Sequence, residues 1–434
     1  MPTLRDKQIL QLAIPSIVAN ITVPLLGMVD VAIVGHMGDA AYIGAISVGS
    51  MIFNIIYWVF GFLRMGTSGM TSQALGRREL GSVVQMLCRS MAVGMAIALM
   101  LVILQSPVKS IAMLIVGPQP EVADMASAYF DICIWGAPAM LTLYGLSGWF
   151  VGMQNTRIPM AVSIMQNIVN IAASLLLVFG LGMKVEGVAL GTVVAQYAGL
   201  AVSLVLLAVY YGRLRKHLKI DGLFDIVKMF DFFKVNSDIF LRTLCLVAVN
   251  LFFLSAGARQ GNVILAVNTL LVQLYIFFSY FLDGFAFAGE ALCGKYYGAR
   301  NREAYLSTIR RIFVWGALLA VAFTLVYSVA GKPFLSVLTD DEAVVEAALE
   351  YLPWAVAVPL VGVAAFVWDG VFIGITATKG MLASSAVATG VFFALYYFLR
   401  GEWANHALWL AFVAYLAVRG LVQTAIFEKC HKKW

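Results

Sequence analysis

Asp30 stands in the stretch PLLGMVDVAIVGHMG, residues 24–38, with apolar residues on both sides. A carboxyl buried in apolar surroundings resists ionisation, so it can load and release a proton within the pH range of a cell. The same run carries Pro15 and Pro24, each of which removes a backbone hydrogen bond and can kink a helix. A bend there would let carbonyls and one carboxylate line a wet pocket. The plainer alternative is that Asp30 reaches the outer interface, because its helix ends soon after.

Further polar side chains could complete such a pocket. QNIVNIAAS places Asn167, Asn170 and Ser174 three and four residues apart, on one face of a helix. Thr192 lies early in the next apolar run, in GVALGTVVAQ. Small polar residues also serve as packing contacts between membrane helices, and spacing does not separate the two roles. Arg64, in GFLRMGTSG, requires either a carboxylate across a cavity or a path to the cytoplasmic face. Asp283 and Glu290, in YFLDGFAFAGEALCG, are two helical turns apart and could line a pore or form a latch. Asp369, in FVWDGVFIG, is placed at mid-membrane depth. Asp131, Arg242 and Arg419 fall nearer the ends of their runs.

Soluble catalysis and metal chemistry fit this sequence poorly. Cys88, Cys133, Cys245, Cys293 and Cys430 are scattered, odd in number and without CxxC spacing. His36, His217, His406 and His431 are far from one another and lie at or near run ends. No HExxH motif is present. No metal centre, cofactor or enzymatic activity is therefore expected.

The elements that must carry these side chains follow from hydropathy. Of 434 residues, 62% are hydrophobic and only 12% charged, and mean hydropathy is +0.90. Uncharged runs of about 20 residues, the span of one transmembrane helix, recur along the whole chain. The fold class is an all-α polytopic membrane protein with twelve transmembrane helices. They are predicted near 9–34, 43–75, 83–106, 125–151, 160–182, 188–211, 237–256, 263–292, 305–330, 347–373, 381–399 and 405–428. The first run lacks a small-residue cleavage site and reads as a retained helix.

Lysine and arginine set the orientation. The termini and the even-to-odd loops hold 20 of the 29, while the opposite loops hold only Lys109, Lys184, Arg259, Lys332 and Arg400. The positive-inside rule then places both termini in the cytoplasm and the acidic TDDEAVVEAALEY outside. It also accounts for the net charge of +6 without a nucleic-acid partner.

The longest polar linker, 212–236, falls near the midpoint, dividing a lobe at 1–211 from another at 237–434. The halves repeat. Gly152 and Gly374, Thr156 and Thr378, Gly76 and Gly298, Arg78 and Arg300, Ala126 and Ala348, and Tyr129 and Tyr351 are all 222 residues apart. Asp369 matches Ser147 under this offset, so its charge belongs to one half only. Two copies of six helices with a cavity between them suit a transporter better than a channel or an enzyme.

At this point the motifs resemble the multidrug and toxic compound extrusion (MATE) transporters, in particular their DinF-like branch. The matching stretches are PLLGMVDVAIVGHMG, YWVFGFLRMGTSGMTSQALGRRE, DGFAFAGEALCGKYYGARN and FVWDGVFIGITATKGM. The resemblance implies a V-shaped pair of six-helix lobes in the plasma (inner) membrane, exchanging organic cations or other amphiphiles for H⁺ or Na⁺. It implies a cation-coupling site at Asp30, Asn170, Ser174 and Thr192, with Ser174 where many relatives have aspartate. A Na⁺ ion would use Asp30, Asn170 and Thr192. Pro15 corresponds to a proline that bends on protonation, and Asp369 to a coupling aspartate of another branch. The partners implied are amphiphilic small molecules and membrane lipids, and a monomer is expected. A second reading, a flippase for lipid-linked saccharides, calls for several cavity arginines; Arg64 and Arg242 are the candidates.

Overall fold

A computed structural model describes residues 4–35, 40–218, 222–223, 225–339 and 341–431. The side chains of 23–28, 31, 34, 35, 40, 430 and 431 lie outside the described set. So do His36, Lys219, Asp340, Lys432 and Lys433, and with them the side chains of Pro24, Cys430 and His431.

The described elements are helical. The first half holds α1 (Leu4–Gly35), α2 (Ala40–Phe60), α3 (Phe62–Gly76), α4 (Leu80–Ile103), α5 (Gln105–Val116) and α6 (Pro120–Cys133). It continues through α7 (Ala137–Gly152), α8 (Arg157–Leu175) and α9 (Val185–Tyr211). The second half holds α10 (Ile226–Ala258), α11 (Asn262–Gly298), α12 (Arg302–Leu338), α13 (Glu342–Gly374) and α14 (Thr378–His431).

Ten stretches among the described residues are long and apolar enough to cross a membrane. The last of them holds two helices, because Ala404 (φ 43°, ψ −116°) breaks α14. With α1, whose 32 residues exceed one membrane thickness, the count is twelve. Three boundaries differ from the sequence expectation. The second span is two helices, α2 and α3, meeting at Gly61. The loop after the third span contains α5, too short at 12 residues to register as a span. Pro107 suits its first turn, and Lys109 pairs with Asp131 at 2.8 Å. Finally, α10 begins at Ile226, because the charged turns around Lys228, Asp231 and Lys234 continue the helix beyond its apolar run.

The repeat is present in backbone geometry. Arg78 and Arg300 have φ of 60° and 52°, and Gln154 and Thr376 have φ of 65° and 54°. Each pair is 222 residues apart and occupies the same C-terminal turn. At the first, Arg78 N donates to Leu75 O and Glu79 N to Ala74 O; at the second, Arg300 N donates to Tyr297 O and Asn301 N to Tyr296 O. Non-glycine residues rarely adopt the left-handed region, so four at two equivalent turns mark a shared design.

The close approach of α7 to α3 is copied in α13 and α11. A Cβ on Gly148 would meet Arg64 O at 2.2 Å, and one on Gly370 would meet Ala286 O at 2.3 Å. Neither backbone oxygen can swing aside. Gly148→Ala and Gly370→Ala should therefore each cost about 1–3 kcal/mol by overpacking. Thermal unfolding in detergent should show similar losses for the two; an unchanged midpoint in either would refute the equivalence.

The chain forms two compact units, Val18–Phe232 and Met1–Ile17 with Phe233–Trp434. In the first, Phe53, Phe130, Leu141 and Ile134 form the apolar core. In the second, Phe253, Leu271, Trp409 and Phe412 do so. Beside that core Asn268 and Asn405 exchange amide hydrogen bonds of 2.8 and 2.9 Å, and Trp409 Nε1 donates to Asn268 Oδ1 at 2.9 Å. This buried network is fully satisfied next to the break at Ala404. The first turns of α1 pack with the second unit. Trp315 Nε1 donates to Asp6 Oδ1 at 3.1 Å, Tyr296 OH donates to Gln8 Oε1 at 3.0 Å, and Gly284 leaves room for Ala13 and Ile17.

Candidate ion and substrate site

Asp30 is buried, 8% exposed, and its Oδ1 has no hydrogen-bond partner among the described residues. Tyr129 and Cys133, one turn apart on α6, lie within electrostatic reach of it. Both are held in place. Tyr129 OH shares a 3.3 Å hydrogen bond with Ser50 of α2, and its ring fills the space where Gly49 lacks a Cβ. Cys133 Sγ donates to Ala189 O of α9 at 3.8 Å.

Polar side chains join α1 to α8 and α8 to α9. Asn167 Nδ2 donates to Thr22 O at 2.8 Å, and the Thr22 and Ser163 hydroxyls are 3.1 Å apart. One turn further along the same face, Asn170 Nδ2 donates to Thr192 Oγ1 at 3.0 Å. Ser174 Oγ reaches Asn170 Oδ1 at 3.4 Å, and Thr192 Oγ1 donates to Val188 O at 3.1 Å. Asn170 and Ser174 are fully buried, and Gly191 gives Ser174 the room it needs.

Asn170, Ser174 and Thr192 thus form one hydrogen-bonded chain. No bond joins them to Asp30 among the described residues. Asn170 Oδ1 accepts from Ser174 and Thr192 Oγ1 accepts from Asn170, and a Na⁺ ion would need both oxygens turned toward Asp30. Pro15 is buried in the part of α1 that belongs with the second unit, and the helix runs through it. The following residue, Ser16, donates to Leu12 O at 2.9 Å.

The remaining candidates are dispersed. Arg64 is half-buried on α3 in electrostatic reach of Tyr144. Asp283 is half-buried on α11 beside Tyr275 and Tyr280, and Glu290 is buried two turns on. Asp369 of α13 is enclosed. Its Oδ2 pairs with Arg242 Nη2 of α10 and lies 3.5 Å from Arg419 Nη2 of α14. Its Oδ1 accepts from Gln423 Nε2 at 2.7 Å. Arg419 is stacked between Phe366 and Tyr415, each ring centroid 5.6 Å away.

Sequence reasoning did not join these three charges. The available signal was that Arg242, Asp369 and Arg419 each interrupt an apolar helix, and buried charges of opposite sign seek each other. Spacing along the chain does not say which. The roles of Tyr129, Cys133 and Ser50 around Asp30 left no sequence mark. His406 is engaged structurally, accepting from Trp354 Nε1 at 3.0 Å and lying 3.1 Å from Glu350.

A multi-pass, twofold-repeated helical fold that buries charged side chains at membrane depth has the build of a membrane transporter. Comparison with known proteins makes the class specific. The MatE family model matches residues 15–176 and 239–398, and the chain belongs to the MatE family. It is 37% identical to the DNA damage-inducible protein F of Escherichia coli, over 98% of this chain and 93% of that one. It is 24% identical to the probable multidrug resistance protein NorM of Thermotoga maritima, over 80% of this chain and 75% of that one. Among solved structures, a MATE protein in the bent conformation aligns with a TM-score of 0.87 at 17% identity, covering 100% of this chain and 97% of its own. The family transports small molecules and is not an enzyme class.

Proposed function

We infer that this chain is a cation-coupled antiporter that exports amphiphilic organic cations by alternating access, with H⁺ as the coupling ion and Asp30 as its carrier. The observation that carries this reading is the contrast between two buried carboxyls. Asp369 is tied to two guanidinium groups and an amide, and removing its charge would strand both arginines. Asp30 is buried with an oxygen that has no partner among the described residues, so it can exchange a proton without breaking an ion pair. Protonation in the outward state would weaken the hold on a cationic substrate, and release inward would restore it. Coupling then needs only that proton and substrate prefer different states by a few kcal/mol.

Na⁺ is the less favoured ion, because the oxygens of Asn170, Ser174 and Thr192 bond among themselves. The lysine and arginine distribution supports both termini being cytoplasmic. The flippase reading loses support, since Arg242, one of its two candidate cavity arginines, is committed to Asp369. Efflux of fluorescent cations from everted vesicles under separately imposed ΔpH and ΔpNa tests the assignment. Transport driven by ΔpNa alone would overturn H⁺ coupling.

A further inference from the structure

In the first unit, α4, α7 and α9 part around a crevice of about 310 Å³. Its wall is apolar, built from Val84, Leu87, Trp149, Leu204 and Leu207. The floor is rigid. Trp149 Nε1 donates to Val83 O at 2.9 Å, its ring meets Tyr211 edge-on at 5.0 Å, and Asn155 Nδ2 donates to Tyr211 OH at 3.1 Å. The slot is therefore already formed before anything enters it.

At the mouth is a 3₁₀ turn, Gly212–His217, that carries Arg213, Arg215 and Lys216, and Arg215 lines the crevice. All three are exposed, and none forms an ion pair among the described residues. The chain beyond the turn is anchored, because Arg89 of α4 donates to Leu223 O at 2.6 Å and Gly222 O at 2.7 Å. Val205, Val209 and Tyr210, on neighbouring turns of α9, are 59%, 70% and 68% exposed, as residues facing acyl chains would be.

An apolar slot with a basic rim is complementary to one class of molecule in a bilayer. A zwitterionic lipid would leave the rim without a net counter-charge, and a soluble anion would leave the slot empty. We propose that the crevice holds an acyl chain of an anionic phospholipid whose phosphate is bound by Arg215, with Arg213 and Lys216 beside it. The site rests on the membrane placement of α4, α7 and α9 and is independent of the coupling ion. Basic clusters of this kind at helix ends draw anionic headgroups to the cytoplasmic leaflet.

The test is native mass spectrometry of the purified full-length protein with phosphatidylglycerol and phosphatidylcholine of identical chains. Wild type should retain phosphatidylglycerol at least about fivefold better, the preference expected from one basic residue near an anionic headgroup. Arg215→Gln should lower phosphatidylglycerol retention by about fivefold and phosphatidylcholine retention much less, so that the preference between them shrinks. Ala208→Trp, which fills the slot from its exposed rim, should lower retention of both. Equal retention of the two lipids by wild type would overturn the proposal. So would an unchanged preference in Arg215→Gln, or full phosphatidylglycerol retention in Ala208→Trp.

Discussion

Asp30→Asn is expected to insert and fold normally, to bind cationic substrate only as weakly as the protonated wild type does, and to lose proton-driven efflux from everted vesicles. Asparagine keeps the size and an acceptor oxygen of the side chain but cannot titrate. On the proposed mechanism, proton and cationic substrate would exclude each other at one carboxyl in the wild type, so the apparent Kd should rise as pH falls. The rise approaches tenfold per pH unit once the carboxyl is mostly protonated, the factor that corresponds to about 1.36 kcal/mol. In the variant the Kd should be flat across the same range. Binding of a fluorescent cation by anisotropy over a pH series, on both proteins, reads this directly. A variant whose affinity still follows pH, or which still exports under ΔpH, would remove Asp30 from the mechanism.

Fold and site were legible to different depths. Membrane helices announce themselves because every backbone polar group must be satisfied within the segment, which forces long apolar runs. The repeat was visible because most of its matches fall at turns, where Arg78 and Arg300 need the same backbone conformation. Gln154 and Thr376 share that conformation without sharing a residue type, so that equivalence was not readable. The helix α5 was missed because its 12 residues carry no span-length signal. On α8, the spacing of Asn170 and Ser174 placed them on one face, and they do bond to each other. Their link to Thr192 depends on how α9 docks, a tertiary fact that helical periodicity does not contain. The surroundings of Asp30 depend on α6 in the same way, since nothing about Tyr129 in isolation marks it as a neighbour of α1.

Asp369→Asn is expected to be the most destabilising single substitution in the second unit, while Asp369→Glu loses less. In the folded protein Asp369, Arg242, Arg419 and Gln423 are 7%, 6%, 2% and 0% exposed, so water can solvate none of them well. Replacing the carboxylate by an amide keeps a partner for Gln423 but leaves two guanidinium groups without counter-charge. Breaking a buried pair in this way costs about 3–5 kcal/mol, far more than the intact pair contributes over a hydrophobic replacement. Combining Asp369→Asn with Arg242→Gln should restore much of the loss, because one stranded charge is then removed. A double-mutant cycle read by thermal unfolding in detergent should give a coupling of about 1–3 kcal/mol. The coupling role of Asp369 suggested by resemblance makes the opposite forecast. On that view Asp369→Asn would unfold at the wild-type temperature and fail only in transport, and Arg242→Gln would rescue nothing. Stability and efflux measured on the same three proteins decide between a fixed counter-ion and a moving charge.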